Sequence, residues 1–257
     1  MRFDPRHTLL VPAVLALCVV LAAFAGRAQA AAQAQITVYA AASLTNVLPQ
    51  IDGSPRYAFG GSNTLAAQIQ QGAPADVFAS ANMTLPNQLY AKGLCSKPVV
   101  LTRNTLVIVV PKANPAGIKS VYDLAKPGIK LDVAGPGVPV GSYTLQILKN
   151  MNLTASVTKN VVSQETDVKG VLGKVVLGEA DAGFVYATDV RSVLGKVGVI
   201  RIRESAQPHV VYEVAVVKKA AHLREAYAFV TRLIRAPAQQ TFVRFGFGRK
   251  PVVKPAP

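Results

Sequence analysis

The sequence predicts an α/β protein of two lobes joined by two crossing strands, with a ligand held in the cleft between the lobes. Three observations lead there. Short apolar strands alternate with amphipathic helices from Ile36 onward, the pattern of parallel α/β sheets. Two runs, Thr105 to Val110 and Val210 to Val217, are longer and nearly all apolar, which suits passages between lobes. Several strands run through small residues into a Ser or Thr where a helix begins, so helix N-termini converge at the carboxyl ends of strands.

The first thirty residues stand apart. Arg2 and Arg6 precede an apolar run from Leu9 to Phe24, and Ala28–Gln29–Ala30 has the small-x-small form of a secretory cleavage site. The run falls short of the roughly 20 residues that a spanning helix needs. Residues 1–30 therefore read as a signal peptide rather than an anchor, with export to the periplasm or the outer face of the cytoplasmic membrane. Leu17 is too large for a good lipoprotein signal, which makes lipid attachment through Cys18 the weaker alternative.

Ile36 to Tyr39, β-branched and aromatic, is the first strand. Ala40 to Ala42 keep side chains small at the turn, and Ser43 stands at the expected N-cap of a short helix, Leu44 to Ile51, interrupted by Pro49 and ended by Asp52–Gly53. A Ser there is by itself a plain cap, and the device gains weight because it recurs. Arg56 to Phe59 is a second strand, followed by Gly60–Gly61–Ser62 and a helix marked by Leu65, Ala66 and Ile69 and stopped by Gly72. Ala75 to Ala79 is a strand and Leu85 to Lys92 a helix.

Thr105 to Val110 reads as a buried strand closed by Pro111, and Val121 to Leu124 as a helical turn. Lys130 to Ala134 is a strand that leads through Gly135 to Ser142 into a helix carrying Tyr143, Ile147, Leu148 and Met151. Asn160 to Val162 is a short strand. Thr166–Asp167 caps a helix whose apolar face is Val168, Val171, Leu172, Val175 and Val176, stopped by Gly178. Ala182 to Tyr186, Val197 to Ile202 and Val210 to Val217 are strands, and Arg224 to Ile234 is a helix that packs with Phe242 to Phe247. One lobe is then 33–104 with 217–250 and the other 112–209, with 105–111 and 210–216 as crossover strands and a disordered Pro-rich tail over 251–257.

Composition limits the function. The chain carries 28 Lys and Arg against 13 Asp and Glu, and without Arg2, Arg6, Arg27 and Asp4 the balance is 25 against 12. Such an excess favours encounters with anions, whether solutes, acidic polymers or lipid headgroups, although a solvated basic surface is the plainer reading. No basic run exceeds two residues and aromatics do not interleave with the charge, so nucleic acid is not an expected partner. Cys18 leaves with the signal and Cys95 is alone, which rules out an internal disulfide.

Catalytic and cofactor motifs fail when tested. Gly135–Pro136–Gly137–Val138–Pro139–Val140–Gly141 follows a strand, but its third Gly comes one residue late for a dinucleotide fingerprint and two prolines stiffen it. Thr64 stands where a nucleophile elbow around Ser62 would need its second Gly. His209 and His222 have no Cys, His or carboxylate at metal-ligand spacing. A secreted hydrolase would have to recruit His209 to Ser43 or Ser62, with nothing in the sequence to say that it does. The expectation is no enzyme, no cofactor and a small-anion ligand.

Val38–Tyr39–Ala40–Ala41–Ala42–Ser43–Leu44–Thr45, Phe59–Gly60–Gly61–Ser62–Asn63–Thr64–Leu65 and the stretch Gln70 to Ala81 together closely resemble the periplasmic molybdate-binding proteins that feed ABC importers. The likeness continues through Val138 to Tyr143, Glu165 to Val168 and Gly178 to Tyr186. It implies the type II periplasmic-binding-protein fold, a molybdate or tungstate ligand, ABC permease subunits as partners, and a monomer. In that family the oxyanion is held by two Ser hydroxyls with backbone amides, two further backbone amides and a Tyr hydroxyl. Aligned motif by motif, these fall on Ser43, Ser62, Val140, Val168 and Tyr186, which contact oxyanion oxygens and are not direct metal ligands. The chain departs from familiar members in a shorter stretch between Leu44 and Phe59, in Val140 where Ala is usual, and in Gly60–Gly61 before Ser62. A sulfate, thiosulfate or organic-anion receptor is the alternative within the binding class, and a basic module for acidic polymers lies outside it.

Overall fold

The computed structural model describes residues 35–250. The signal peptide expected over 1–30 and the tail expected over 251–257 lie outside the described residues. What is described forms two five-stranded mixed sheets flanked by helices, one for each lobe of a periplasmic-binding-protein fold.

In the first lobe β1 (Thr37–Ala41) lies parallel between β2 (Arg56–Gly60) and β3 (Val77–Ser80), with Val38 opposite both Tyr57 and Val77. β10 (Val210–Val216) runs antiparallel to β3 and to β4 (Val99–Asn104), giving the order β2-β1-β3-β10-β4. Helices α1 (Leu48–Ile51), α2 (Ser62–Gln70), α3 (Thr84–Ala91), α7 (Leu223–Leu233) and α8 (Ala236–Arg244) belong to this lobe. The second lobe has the order β7-β6-β8-β5-β9, from β5 (Leu106–Pro111), β6 (Leu131–Ala134), β7 (Val161–Glu165), β8 (Ala182–Tyr186) and β9 (Val197–Arg201). Its helices are α4 (Pro139–Asn150), α5 (Thr154–Thr158) and α6 (Val168–Leu177).

The long apolar runs have a different role from the one expected. Residues 105–111 and 210–216 do not bridge the lobes as strands, because β5 is paired between β8 and β9 and β10 between β3 and β4. Their apolar character follows from burial on both faces: all seven residues of β10 are buried, with α3 and α7 packed against it. The chain crosses instead at Thr105, between β4 and β5, and returns through residues 202–209. The crossings are tied together by Gln207, whose side chain accepts from the Leu106 N–H at 3.1 Å and donates to the Leu106 carbonyl at 2.7 Å. β4 escapes the sequence reading because Thr102, Arg103 and Asn104 break its apolar run, and its pairing with β10 shifts register at Tyr212 and Glu213.

This topology leaves the carboxyl ends of β1, β2, β6 and β7 at the cleft. Each leads into a helical segment: the turn Ala42–Leu44, α2, α4 and α6.

Candidate functional site

Three of the four helical starts at the cleft have no side-chain cap. The residues before the Ala42–Leu44 turn, α2 and α4 are Ala41, Gly61 and Val138, and none supplies a side-chain cap. The first N–H groups of a helix have no carbonyl partner within it. In α4 the first residue is Pro139, which has no N–H, so Val140 carries the first donor. α6 does have a cap, but the Asp167 carboxylate accepts from the N–H groups of Lys169 and Gly170, at 2.7 and 3.1 Å, and not from Val168.

Ser43 and Ser62 were expected at N-caps and stand inside their helices instead. Ser43 is the second residue of its turn and Ser62 the first of α2, while Ser142, also expected before a helix, is the fourth residue of α4. Ala41 and Gly61 take the cap position with ordinary negative φ. The two Ser hydroxyls are consequently not spent on their own helix ends.

Those hydroxyls are held from behind. Ser43 Oγ is 2.8 Å from Tyr212 Oη, and Ser62 Oγ accepts from the Ala81 N–H at 3.1 Å. Both serines are buried. Tyr186, 2 % exposed at the end of β8, has a buried hydroxyl with no hydrogen-bond partner among the described residues. Burial lifts its ionisation well above the ordinary phenol value, with Tyr212 and Tyr143 adding to the effect, so the group is a neutral donor.

Ser43, Ser62, Val140, Val168 and Tyr186 all line one pocket between the lobes, with about 200 Å³ of free space, part of it open to solvent. Among the described residues its lining contains no Lys, Arg or His. It does contain Asp167, whose carboxylate is turned into the start of α6. Close by, the Lys169 ammonium pairs with the buried Asp189 at 2.8 Å, so that charge is answered within the protein. The pocket can therefore offer several N–H and O–H donors to a small anion without a formal positive charge.

The hydrolase reading finds no support in this geometry. His209 lines a separate cavity with Arg103 and Glu204, and among the described residues no His bonds to Ser43 or Ser62. Among the described residues no three His, Cys, Asp or Glu side chains gather in a way that could hold a metal ion.

Residues 36–248 match the family model of the bacterial extracellular solute-binding proteins. The chain belongs to that family. It is 39 % identical to the molybdate-binding protein ModA of Mycobacterium tuberculosis, covering 83 % of this chain and 84 % of that one. To ModA of Haemophilus influenzae it is 35 % identical, covering 86 % and 92 %. The solved periplasmic molybdate-binding protein of Azotobacter vinelandii has the same fold, with a TM-score of 0.75 over 86 % of this chain and all of that one, at 20 % identity. The family is one of solute-binding transport proteins rather than enzymes, and solute-binding components of this kind work outside the cytoplasm.

Several residues that shape the site escaped sequence reading. Tyr212 sits in an apolar strand and reads as core, and Asn104 ends a strand that the sequence did not reveal. Ala81 contributes only its backbone, which no side chain announces. The cap at Asp167 was legible, but not that it serves Lys169 and Gly170 and passes over Val168, which lines the pocket.

Proposed function

We propose that the protein captures molybdate, and tungstate as an anion of the same charge and shape, and delivers it to an ABC importer at the membrane. Ser43 and Ser62 donate their hydroxyls and neighbouring backbone amides from one lobe. Val140 and Val168 donate backbone N–H groups and Tyr186 its hydroxyl from the other. The protein works as a monomer, without a cofactor, in the periplasm or on the outer face of the cytoplasmic membrane. The observation that carries this reading is the buried Tyr186 hydroxyl, without a hydrogen-bond partner among the described residues, in a pocket whose described lining has hydroxyls and helix N-termini but no cation. The molybdate-binding relatives support the choice of oxyanion.

The mechanism is selection by donors alone. An anion with no proton accepts every N–H and O–H that the pocket presents. Hydrogen phosphate brings a donor to donors, and the buried group left unsatisfied costs about 1–3 kcal/mol. Sulfate passes that filter and must be excluded by size, its oxygens falling short of donors spaced for a larger tetrahedron. Closing the lobes completes the donor set and gives the permease a shape that differs from the empty protein.

Titration of Ser43→Ala, Ser62→Ala and Tyr186→Phe with molybdate tests the assignment. Each lost hydrogen bond to a charged ligand is worth about 1.5–3 kcal/mol, so affinity falls at least tenfold in each while thermal unfolding stays near that of the parent. Unchanged affinity in all three would remove these residues from the site.

A further inference from the structure

One pocket hydroxyl is backed by a hydrogen-bond chain whose direction can be read. Asn104 Oδ1 accepts from the Thr105 N–H at 2.9 Å, which fixes the orientation of the amide. Asn104 Nδ2 then donates, to Thr188 Oγ1 at 2.9 Å and to Tyr212 Oη at 3.3 Å. Tyr212 is fully buried, its hydroxyl has one proton, and Ser43 Oγ at 2.8 Å is the acceptor within reach among the described residues. Were Ser43 the donor of that bond, the Tyr212 proton would stay buried without an acceptor, the costlier arrangement. Tyr212 therefore donates to Ser43, and the Ser43 proton points to the pocket.

We propose that Asn104 and Tyr212 are positioning residues that lock Ser43 as a proton donor, so that the pocket discriminates against oxyanions that carry a proton. The proposal rests on the oxyanion reading above. Neither residue lines the pocket, and each acts through the next. The Ala81 N–H serves Ser62 in the same way, filling an acceptor site on its oxygen and leaving its proton for the ligand. The chain also spans the molecule: Tyr212 stands in the first lobe, Asn104 at the crossing, and Thr188 in the second lobe.

The test is a competition titration at about pH 8, where molybdate and hydrogen phosphate are both dianions and only phosphate bears a proton. Tyr212→Phe frees the Ser43 hydroxyl to turn and accept, and the preference for molybdate over phosphate falls at least tenfold. Asn104→Asp keeps the shape and the bond from Thr105 but replaces a donor with an acceptor. That reverses the chain, and the preference falls further. The added charge repels both dianions alike and cancels in the ratio. Thr188→Val removes only the side branch and leaves the ratio unchanged. If Tyr212→Phe fails to fold, Asn104→Asp carries the test alone. A ratio within twofold of the parent's in the folded variants would overturn the proposal and leave the oxyanion reading standing. A parent protein that binds no tetrahedral oxyanion would overturn both.

Discussion

Gly61, at the entry to α2 in one lobe, lies so close to the Thr166 backbone in the other that a Cβ on Gly61 would sit 2.2 Å from the Thr166 carbonyl oxygen. The conformation of Gly61 is open to any residue, with φ −60° and ψ 129°. It is the approach of the opposite lobe that admits nothing larger than glycine. The same approach brings α6 against the Ala42–Leu44 turn and encloses the pocket.

Gly61→Ala accordingly holds the lobes apart, and within its own lobe asks only that the Asn63 side chain, whose Oδ1 would lie 2.8 Å from the new Cβ, turn aside. Affinity for the anion falls at least tenfold, while the stability of the ligand-free protein changes by no more than about 1 kcal/mol, since with the lobes open the only neighbour that must move is the end of the Asn63 side chain. Calorimetric titration beside thermal unfolding measures both. Parent-like affinity would show that binding does not need this closure.

Asp132, on β6, is fully buried and neither carboxylate oxygen has a hydrogen-bond partner among the described residues. Burial and the nearby Glu165 push its pKa up to about 6 from 3.8, with Glu179 adding and Lys174 opposing. A pKa raised on folding means stability that is present below about pH 4 and lost as pH rises through about 6. Asp132→Asn is therefore stabilising by about 1–2 kcal/mol near pH 7.5 and neutral near pH 4, as read from urea unfolding at the two pH values. An equal change at both would contradict the ionisation argument.

The Lys169–Asp189 pair predicts a different pH profile. The Asp189 side chain is wholly buried while Lys169 is 30 % exposed, and Asp189 follows three residues after Tyr186. Lys169→Met leaves the carboxylate without its countercharge, costing about 3 kcal/mol at neutral pH. The deficit shrinks as acid protonates Asp189, whose pKa burial already raises. Adding Asp189→Asn recovers most of the loss at neutral pH, and a double variant no better than Lys169→Met would refute the pairing.

Much of this was legible in the residues. Alternating strands and helices announced the α/β architecture, and the small residues before Ser43 and Ser62 marked two of the helix starts that meet at the pocket. What was hidden depends on tertiary pairing. An apolar run such as Val210–Val216 looks the same whether it bridges lobes or lies inside one sheet, since both demand burial. Likewise a Ser before a helical pattern can be the cap or the residue after it, and the one-residue difference decides whether its hydroxyl serves the helix or a ligand.

Isothermal titration of the purified protein with molybdate, tungstate, sulfate and hydrogen phosphate is the most direct test of the donor-only pocket. Tight one-to-one binding of molybdate and tungstate, with neither sulfate nor phosphate competing at a hundredfold excess, is the predicted result. Phosphate binding as tight as molybdate would contradict selection by proton count, and silence toward all four would contradict the oxyanion site itself.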